Sequence, residues 1–383
     1  MKIVIDARFY GTEHTGLGRY TINFIQALTQ LKTAQSHQFY LLVRRRYLNL
    51  QLPTHFSLVE ADIPHYSIQE QLVLPRLIHS LQPDLFHALH FNVPYFYSQP
   101  FLVTIHDLIK SHFASKDTTT RSSLVFRLKR WGYYQVIRHA LYQSVNVIVP
   151  SNSVKQDILH FYPDLEPQKI IPIYEAPDPT FLRVSPPSRS PIKLIIPNNR
   201  SPITDYILYV GNAYPHKNLK TLLAAFNLLI SRSDLEDLQL IIVSKPTKFL
   251  EKTLSTLQGP TLKGRVVVLS NLTDQELASL YQRARLTVIP SLMEGFSLTG
   301  LESLAFDTPV VASDIPVHRE IYGQAVRYAD PNSPESFAQA IRQSLQDHYR
   351  DTLPRSYSWT KLTQSILNLY ENYEKSCSSL RSA

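Results

Sequence analysis

The chain has 383 residues, 44% hydrophobic and 11% aromatic, which is enough apolar material for two ordinary domains and argues against disorder. Lysine and arginine outnumber aspartate and glutamate by 39 to 31, and the resulting +8 suits phosphate-rich ligands, an anionic membrane surface or nucleic acid without choosing among them. No apolar run reaches the roughly 18 residues of a membrane-spanning helix, no zinc-type Cys/His spacing, P-loop or His-Glu-x-x-His occurs, and a single cysteine, Cys377, excludes an internal disulfide.

The opening "MKIVIDARFY" moves directly into a strand-like run, with no apolar leader or small-residue cleavage site. With one cysteine, which fits a reducing compartment, the reading is a cytoplasmic protein. Short β-branched runs then alternate with helix-length amphipathic stretches, the pattern of parallel α/β sheets. Strands are predicted at 2–6, 39–43, 84–88, 101–105 and 145–150, and again at 206–211, 238–243, 265–269, 286–290 and 309–313. Helix-like stretches include 17–31, 121–143, 217–231 and 273–284, with a last pair at 333–346 and 357–375. Segment 183–205 holds five prolines and little periodicity, the composition of a link between domains. The expected division is 1–182, a linker at 183–205, and 206–356, with the C-terminal helix 357–376 returning to the first domain. Two doubly wound halves of this kind would face a central cleft at the carboxyl ends of their strands.

Five segments carry candidate chemistry. In "YGTEHTGLGRYTINFIQAL" (10–28), Gly16 and Gly18 lie between a strand and a helix, a nucleotide-loop position. Thr21 stands where the third glycine of G-x-G-x-x-G belongs, and a helix-capping turn explains the segment almost as well. "VTIHDL" (103–108) ends a strand in His106-Asp107, which could donate to a substrate hydroxyl or carbonyl, or cap the next helix. His87 and His90 read as packing or loop residues. Helix 121–143 sets Arg127, Arg130 and Arg138 along one face near Trp131, Tyr133 and Tyr134. That face could rest on anionic lipid, or be solvated.

"YVGNAYPHKNLKTLLAAF" (209–226) runs from a strand through Gly211 and Asn212 to Lys217 at a helix start. An ammonium there could neutralise a departing pyrophosphate, or be an ordinary surface lysine; His216 reads as a turn residue. "SLMEGFSLTGLE" (291–302) ends a strand in Glu294, Gly295 and Phe296 and opens a helix near Ser297. Gly295 allows close backbone approach, and the first helix amides, without internal partners, favour an anion. Glu294 beside a bound phosphate and Glu302 further along the helix have the reach to hold a sugar and a ribose. A helix-terminal carboxylate plus a solvated glutamate is the alternative.

In this order, the segments closely resemble the retaining GT-B glycosyltransferases of the group 1 type, across nearly the whole chain. The matching pieces are Gly16-Leu17-Gly18, His106, Gly211 to Asn218, and the E-x7-E pair Glu294 and Glu302 within "PSLMEGF" and "TPVVASD"; "PSNSVKQDI" (150–158) and "KIIPIYEAPDPTF" (169–181) resemble the crossing between domains. The resemblance implies two Rossmann-like domains and a nucleoside diphosphate sugar donor. Lys217 would grip the diphosphate beside the amides of Phe296, Ser297 and Leu298. Glu294 would hold hydroxyls of the transferred sugar and Glu302 the ribose. His106 would reach the donor sugar, Gly16 would let its loop close over the phosphates, and Leu272 and Asp274 match a base-binding loop. Relatives often carry an arginine where this chain has Asn212. The acceptor would be a glycan or a lipid-linked molecule, with peripheral contact to the inner membrane face and retention of configuration. No Asp-x-Asp occurs, so the reaction is expected to need no metal and no cofactor. Rival readings are a two-Rossmann sugar-nucleotide epimerase and a non-catalytic nucleotide-sugar-binding subunit. A nucleic-acid role accounts for the charge alone, and no nucleic-acid partner is expected.

Overall fold

The computed structural model describes residues 1–112, 123–184, 205–231, 237–255, 264–347 and 351–382, together with 235, 262 and 349. They form two compact units: Met1–Leu108, Thr119–Ala176 and Tyr357–Ala383 make one, and Ile109–Thr118 with Pro177–Ser356 the other. Most of the proline-rich segment 183–205 lies outside the described residues.

The first unit is built on a seven-stranded parallel sheet of β1 (Lys2–Asp6), β2 (Gln38–Val43), β3 (Phe56–Glu60), β4 (Leu85–Ala88), β5 (Phe101–Thr104), β6 (Asn146–Val149) and β7 (Ile170–Pro172), in the order 3-2-1-4-5-6-7. Strands covered on both faces need continuous apolar runs, and β4 and β5 are buried at every position. Its helices are α1 (Thr15–Gln30), α2 (Ile68–Ser80), α4 (Ser123–Gln143) and α5 (Asn152–Phe161), while the one-turn α3 (Ile109–His112) groups with the second unit. In α1, Tyr20, Phe24 and Leu28 recur at i+4 and face inward. They share a core with Ile5, Leu41 and, from the C-terminal helix Trp359–Ser382, Leu362, Ile366 and Tyr370. The Tyr370 hydroxyl reaches His87 Nδ1 at 2.6 Å, and Thr104 Oγ1 lies 3.0 Å from His87 Nε2. Burial pushes His87 down to about 3, so it packs as a neutral ring.

The second unit includes α6 (Pro179–Leu182) and holds a six-stranded parallel sheet of β8 (Tyr206–Val210), β9 (Gln239–Val243), β10 (Val266–Leu269), β11 (Leu286–Ile289), β12 (Val310–Ser313) and β13 (Arg327–Ala329), in the order 10-9-8-11-12-13. Its helices are α7 (Leu219–Ile230), α8 (Lys248–Ser255), α9 (Asp274–Arg283), α10 (Leu298–Ala305), α11 (Pro316–Tyr322) and α12 (Pro334–Asp347). Renumbered within each unit, both sheets contain the strand order 3-2-1-4-5-6. The order reverses next to the first strand, and ligands of such sheets sit outside the carboxyl ends at that reversal. In the second unit it lies between β8 and β11, so the segments after Val210 and after Ile289 start beside each other.

All ten predicted strands form, within a residue or two of their predicted ends. Three others were not predicted: β3, β7 and β13, all at sheet edges. An edge strand is half covered, so β3 is mostly only partly buried and β7 tolerates Pro172.

Candidate active site

Gly211 directly follows β8, and its amide donates to Val243 O at 3.0 Å. Asn212 Oδ1 accepts from Tyr214 N at 3.2 Å, and Asn212 O from the Tyr209 hydroxyl at 2.6 Å, so Asn212 shapes the turn. A 3-10 turn, Pro215–Lys217, follows. His216 O accepts from Leu292 N at 2.7 Å, joining this turn to the segment after β11. Asn218 adopts φ 55, ψ 33 and donates to Pro290 O at 3.0 Å and Pro331 O at 2.7 Å. Its side chain is a clamp between loops. Asparagine tolerates that left-handed conformation better than most residues.

The clamp aims Lys217 at Glu294. Lys217 Nζ donates to Glu294 Oε1 at 2.7 Å and Oε2 at 2.8 Å, and Ser291 Oγ donates to Oε1 at 2.6 Å. The carboxylate side chain is 9% exposed and the lysine 22%. Burial alone would raise the Glu294 pKa, but the Lys217 charge and the bonds from Lys217 and Ser291 outweigh it and hold the group below its usual range. The site thus holds an ionised acid and an ammonium at the point where the sheet reverses.

Ser297 stands at the N-cap of α10 in a left-handed conformation, φ 73 and ψ 61, and its side chain makes no capping bond. Its hydroxyl faces His318 Nε2 at 3.2 Å and accepts from the Tyr322 hydroxyl at 2.8 Å. Phe296 is buried, while Leu298 and Glu302 are partly exposed. Glu302 Oε2 accepts from the Tyr281 hydroxyl at 3.1 Å. Leu272 packs at the edge of the core around Tyr206 and Leu280, and Asp274 is exposed in the first turn of α9, behind the Thr273–Glu276 capping box. The second unit therefore brings Lys217 and Glu294 into contact and places the start of α10 directly after them.

The remaining predicted residues belong to the first unit. His106 follows β5 with Nδ1 2.9 Å from Glu175 Oε1 and Nε2 3.1 Å from Leu89 O. A carbonyl and a carboxylate both accept, so the ring satisfies them together as an imidazolium. Burial disfavours that charge, yet the Glu175 hydrogen bond and charge prevail and the pKa is raised above the ordinary 6.5. Where a substrate hydroxyl was expected as partner, both ring nitrogens are thus engaged inside the unit. Glu175, in "IYEAPD", was not singled out from the sequence, because nothing in that turn marks a buried acid. A raised folded pKa means that this pair contributes fully below the ordinary histidine value and is lost as pH climbs through the folded value. Glu175→Gln should therefore lower the melting temperature near about pH 6 and by clearly less near about pH 9; an equal loss at both would contradict the pairing.

Gly16 and Gly18, expected between strand and helix, lie instead within the first turn of α1, which starts at Thr15, and of the two Gly18 is the one that sterics demand. A Cβ there would lie 1.8 Å from Gly11 O, whereas one at Gly16 meets nothing within 4 Å. We expect Gly18→Ala to cost about 1–3 kcal/mol through overpacking and Gly16→Ala to be neutral or stabilising by up to about 1 kcal/mol, as read by chemical denaturation.

Two parallel, doubly wound α/β units, the second carrying an ion pair and a helix start where its sheet reverses, define the GT-B class. Comparisons with known proteins agree. Residues 14–181 match the family model described as Glycosyltransferase Family 4, and residues 204–347 the one described as Glycosyl transferases group 1. The chain is similar to O-antigen chain mannosyltransferase B of Escherichia coli, 33% identical over 43% of this chain and 45% of that one. It is also similar to O-antigen chain mannosyltransferase RfbU of Salmonella typhimurium, 23% identical over 89% of this chain and 90% of that one. The first match spans under half the length of its relative. Among solved structures, sucrose-phosphate synthase of Thermosynechococcus elongatus superposes with a TM-score of 0.72 at 18% identity, covering 98% of this chain and 100% of that one. HepE of Anabaena, in complex with UDP and glucose, gives 0.62 at 16% identity, with both chains covered completely. At such identities these structures speak for the fold. The chain belongs to the GT-B glycosyltransferases of the group 1 type.

Proposed function

We propose that this glycosyltransferase moves a hexose from a nucleoside diphosphate sugar to a glycan or lipid-linked acceptor, without a metal and with retention. The observation that carries the reading is the Lys217–Glu294 pair beside the uncapped start of α10. Lys217 and Glu294 satisfy each other directly. A diphosphate arriving at the α10 amides would draw Lys217 away from the carboxylate, and Glu294 would turn its oxygens to sugar hydroxyls. Departure of the nucleoside diphosphate builds negative charge where an ammonium and a helix N-terminus already point. Glu302, oriented by Tyr281, would accept the ribose hydroxyls, with Leu272 and Asp274 near the base. His106 remains a candidate for the donor sugar on exchange of its Leu89 bond, and Gly16 for the phosphate loop. The two O-antigen mannosyltransferases favour mannose as the sugar and a growing polysaccharide as the acceptor.

The test is transfer of labelled sugar from GDP-mannose and UDP-glucose, each with and without EDTA, to a panel of glycan and lipid-linked acceptors. Product that forms in EDTA, only when acceptor is present, with the donor's anomeric configuration, supports the reading. A donor altered without any acceptor would point instead to an epimerase.

The acceptor side of the proposal rests on the first unit. Arg127, Arg130 and Trp131 of α4 are exposed, and so are Ile68 and Leu72 of α2 and Phe96. Tyr95 links these elements: its amide donates to Gln71 Oε1 at 2.7 Å, and its ring lies 5.3 Å from His139. The sequence of α4 contains no acidic residue, so the apolar and aromatic groups sit among positive charge, as an anionic bilayer surface requires. Flotation with vesicles containing phosphatidylglycerol, lost on Phe96→Ser plus Ile68→Ser, is the expected outcome. Equal flotation of the variant would exclude an inserted patch.

A further inference from the structure

The donor turn is held by groups that no sequence motif singled out. Serine is a preferred N-cap residue because its hydroxyl normally accepts from the second or third helix amide. Ser297 occupies that position in α10 and does not do so. Its backbone is left-handed, which serine adopts only when its surroundings enforce it. The enforcing groups are visible. His318 Nδ1 lies 2.8 Å from Ser313 O, and since a carbonyl only accepts, the neutral ring carries its proton on Nδ1. Nε2 is then an acceptor, and Ser297 Oγ donates to it at 3.2 Å. The single Tyr322 hydroxyl proton is shared between Ser297 O, at 2.5 Å, and Ser297 Oγ, at 2.8 Å. The serine hydroxyl is thereby engaged as donor and as acceptor, away from its own helix. Burial pushes His318 down to about 4, which keeps the ring neutral and the arrangement intact at neutral pH.

The opposite end of the same turn belongs to the same network. Ser313 Oγ lies 3.2 Å from His318 Nδ1 and donates to Ser291 O, while Ser291 Oγ donates to Glu294. One buried chain of hydrogen bonds thus runs from Tyr322 through Ser297, His318, Ser313 and Ser291 to Glu294 and Lys217. Gly300 makes room for it: a Cβ there would lie 2.4 Å from the Tyr322 ring and hydroxyl.

We propose that His318 and Tyr322 are positioning residues for the donor, holding Ser297 left-handed and its hydroxyl off the start of α10, so that the turn from Glu294 to Ser297 is shaped for a diphosphate before any arrives. This deepens the donor-site reading and rests on it. Preorganised donors are effective because they need no rearrangement when the ligand binds. A glycine at 297 would adopt the same backbone conformation without help, and this separates positioning from simple structural support.

The experiment measures binding of GDP and UDP by calorimetry to the wild type, Lys217→Ala, Tyr322→Phe, Ser297→Ala, and the double variant Tyr322→Phe with Ser297→Gly, with melting curves as a fold control. Tyr322→Phe and Ser297→Ala are each expected to weaken binding about tenfold, the worth of a lost hydrogen bond or two, and to raise the donor KM more than they lower kcat. The double variant is expected to regain at least about a third of the wild-type affinity, because glycine supplies the backbone conformation directly. Wild-type affinity in Tyr322→Phe, or no recovery in the double variant, would overturn the positioning role. If Lys217→Ala binds as the wild type does, the donor-site reading itself fails and takes this proposal with it. Should Lys217→Ala lose binding while Tyr322→Phe keeps it, the positioning role alone is refuted.

Discussion

Lys217→Ala should lower kcat/KM for sugar transfer by roughly 10²–10³, the size seen when one preorganised charge-stabilising group is lost. The same change should abolish measurable nucleoside diphosphate binding. Two effects combine. The leaving diphosphate loses the ammonium that neutralises it, and Glu294 loses the cation that holds its pKa down against burial. Left with the Ser291 hydrogen bond, a carboxylate this buried takes up a proton more readily. The stability consequence has a defined sign. A depressed carboxylate pKa contributes stability that is present above the ordinary value of 4.5 and disappears as pH falls through the folded value. Melting temperatures of wild type and variant should therefore differ at neutral pH and converge in acid. A constant gap would mean that the pair contributes nothing through charge. Lys217→Arg should recover only part of the activity, because the guanidinium is broader and differently directed.

Glu294→Gln separates the two halves of the pair. The side chain keeps its shape but loses its charge, so the proposed sugar hydroxyls lose a strong acceptor and transfer should fall by roughly 10²-fold or more. Binding of free GDP or UDP should nevertheless persist, or tighten by several-fold, because Lys217 no longer has to leave a carboxylate in order to meet the phosphates. Loss of transfer with retention of diphosphate binding is the signature to look for, by calorimetry alongside initial rates. A variant that loses both equally would show that Glu294 serves mainly to hold Lys217 in place.

Much of the architecture could be read from the chain because parallel sheets leave a strong imprint. Strands covered on both faces, such as 101–104 and 286–289, are runs of buried residues in which all but one threonine each are apolar. Three of the four edge strands, β3, β7 and β13, lack that imprint and went unseen, whereas β10 with its VVVL run was legible. The candidate site was legible in pieces. Lys217 and Glu294 stand 77 residues apart on different segments; each drew attention from its place at a strand end and helix start, but their direct bond depends on sheet order, which local pattern does not encode. Ser297 entered through its amide, and its redirected hydroxyl depends on His318 and Tyr322 of α11, some twenty residues further along and marked by no motif. Gly300 is a helix residue whose need to be glycine comes from the Tyr322 ring packed against it, a contact set by tertiary structure. His106 shows the converse. A strand-end histidine drew attention as a substrate contact, but its bonds to Glu175 and to a carbonyl could not be read from the local pattern.

The most direct test is a crystal structure of the protein soaked with GDP-mannose or UDP-glucose in the absence of divalent ions. The account predicts the diphosphate within about 3 Å of Lys217 Nζ and of the amides around Ser297 and Leu298, with Glu294 turned onto hydroxyls of the sugar. A donor bound elsewhere, with the Lys217–Glu294 pair still closed on itself, would contradict it.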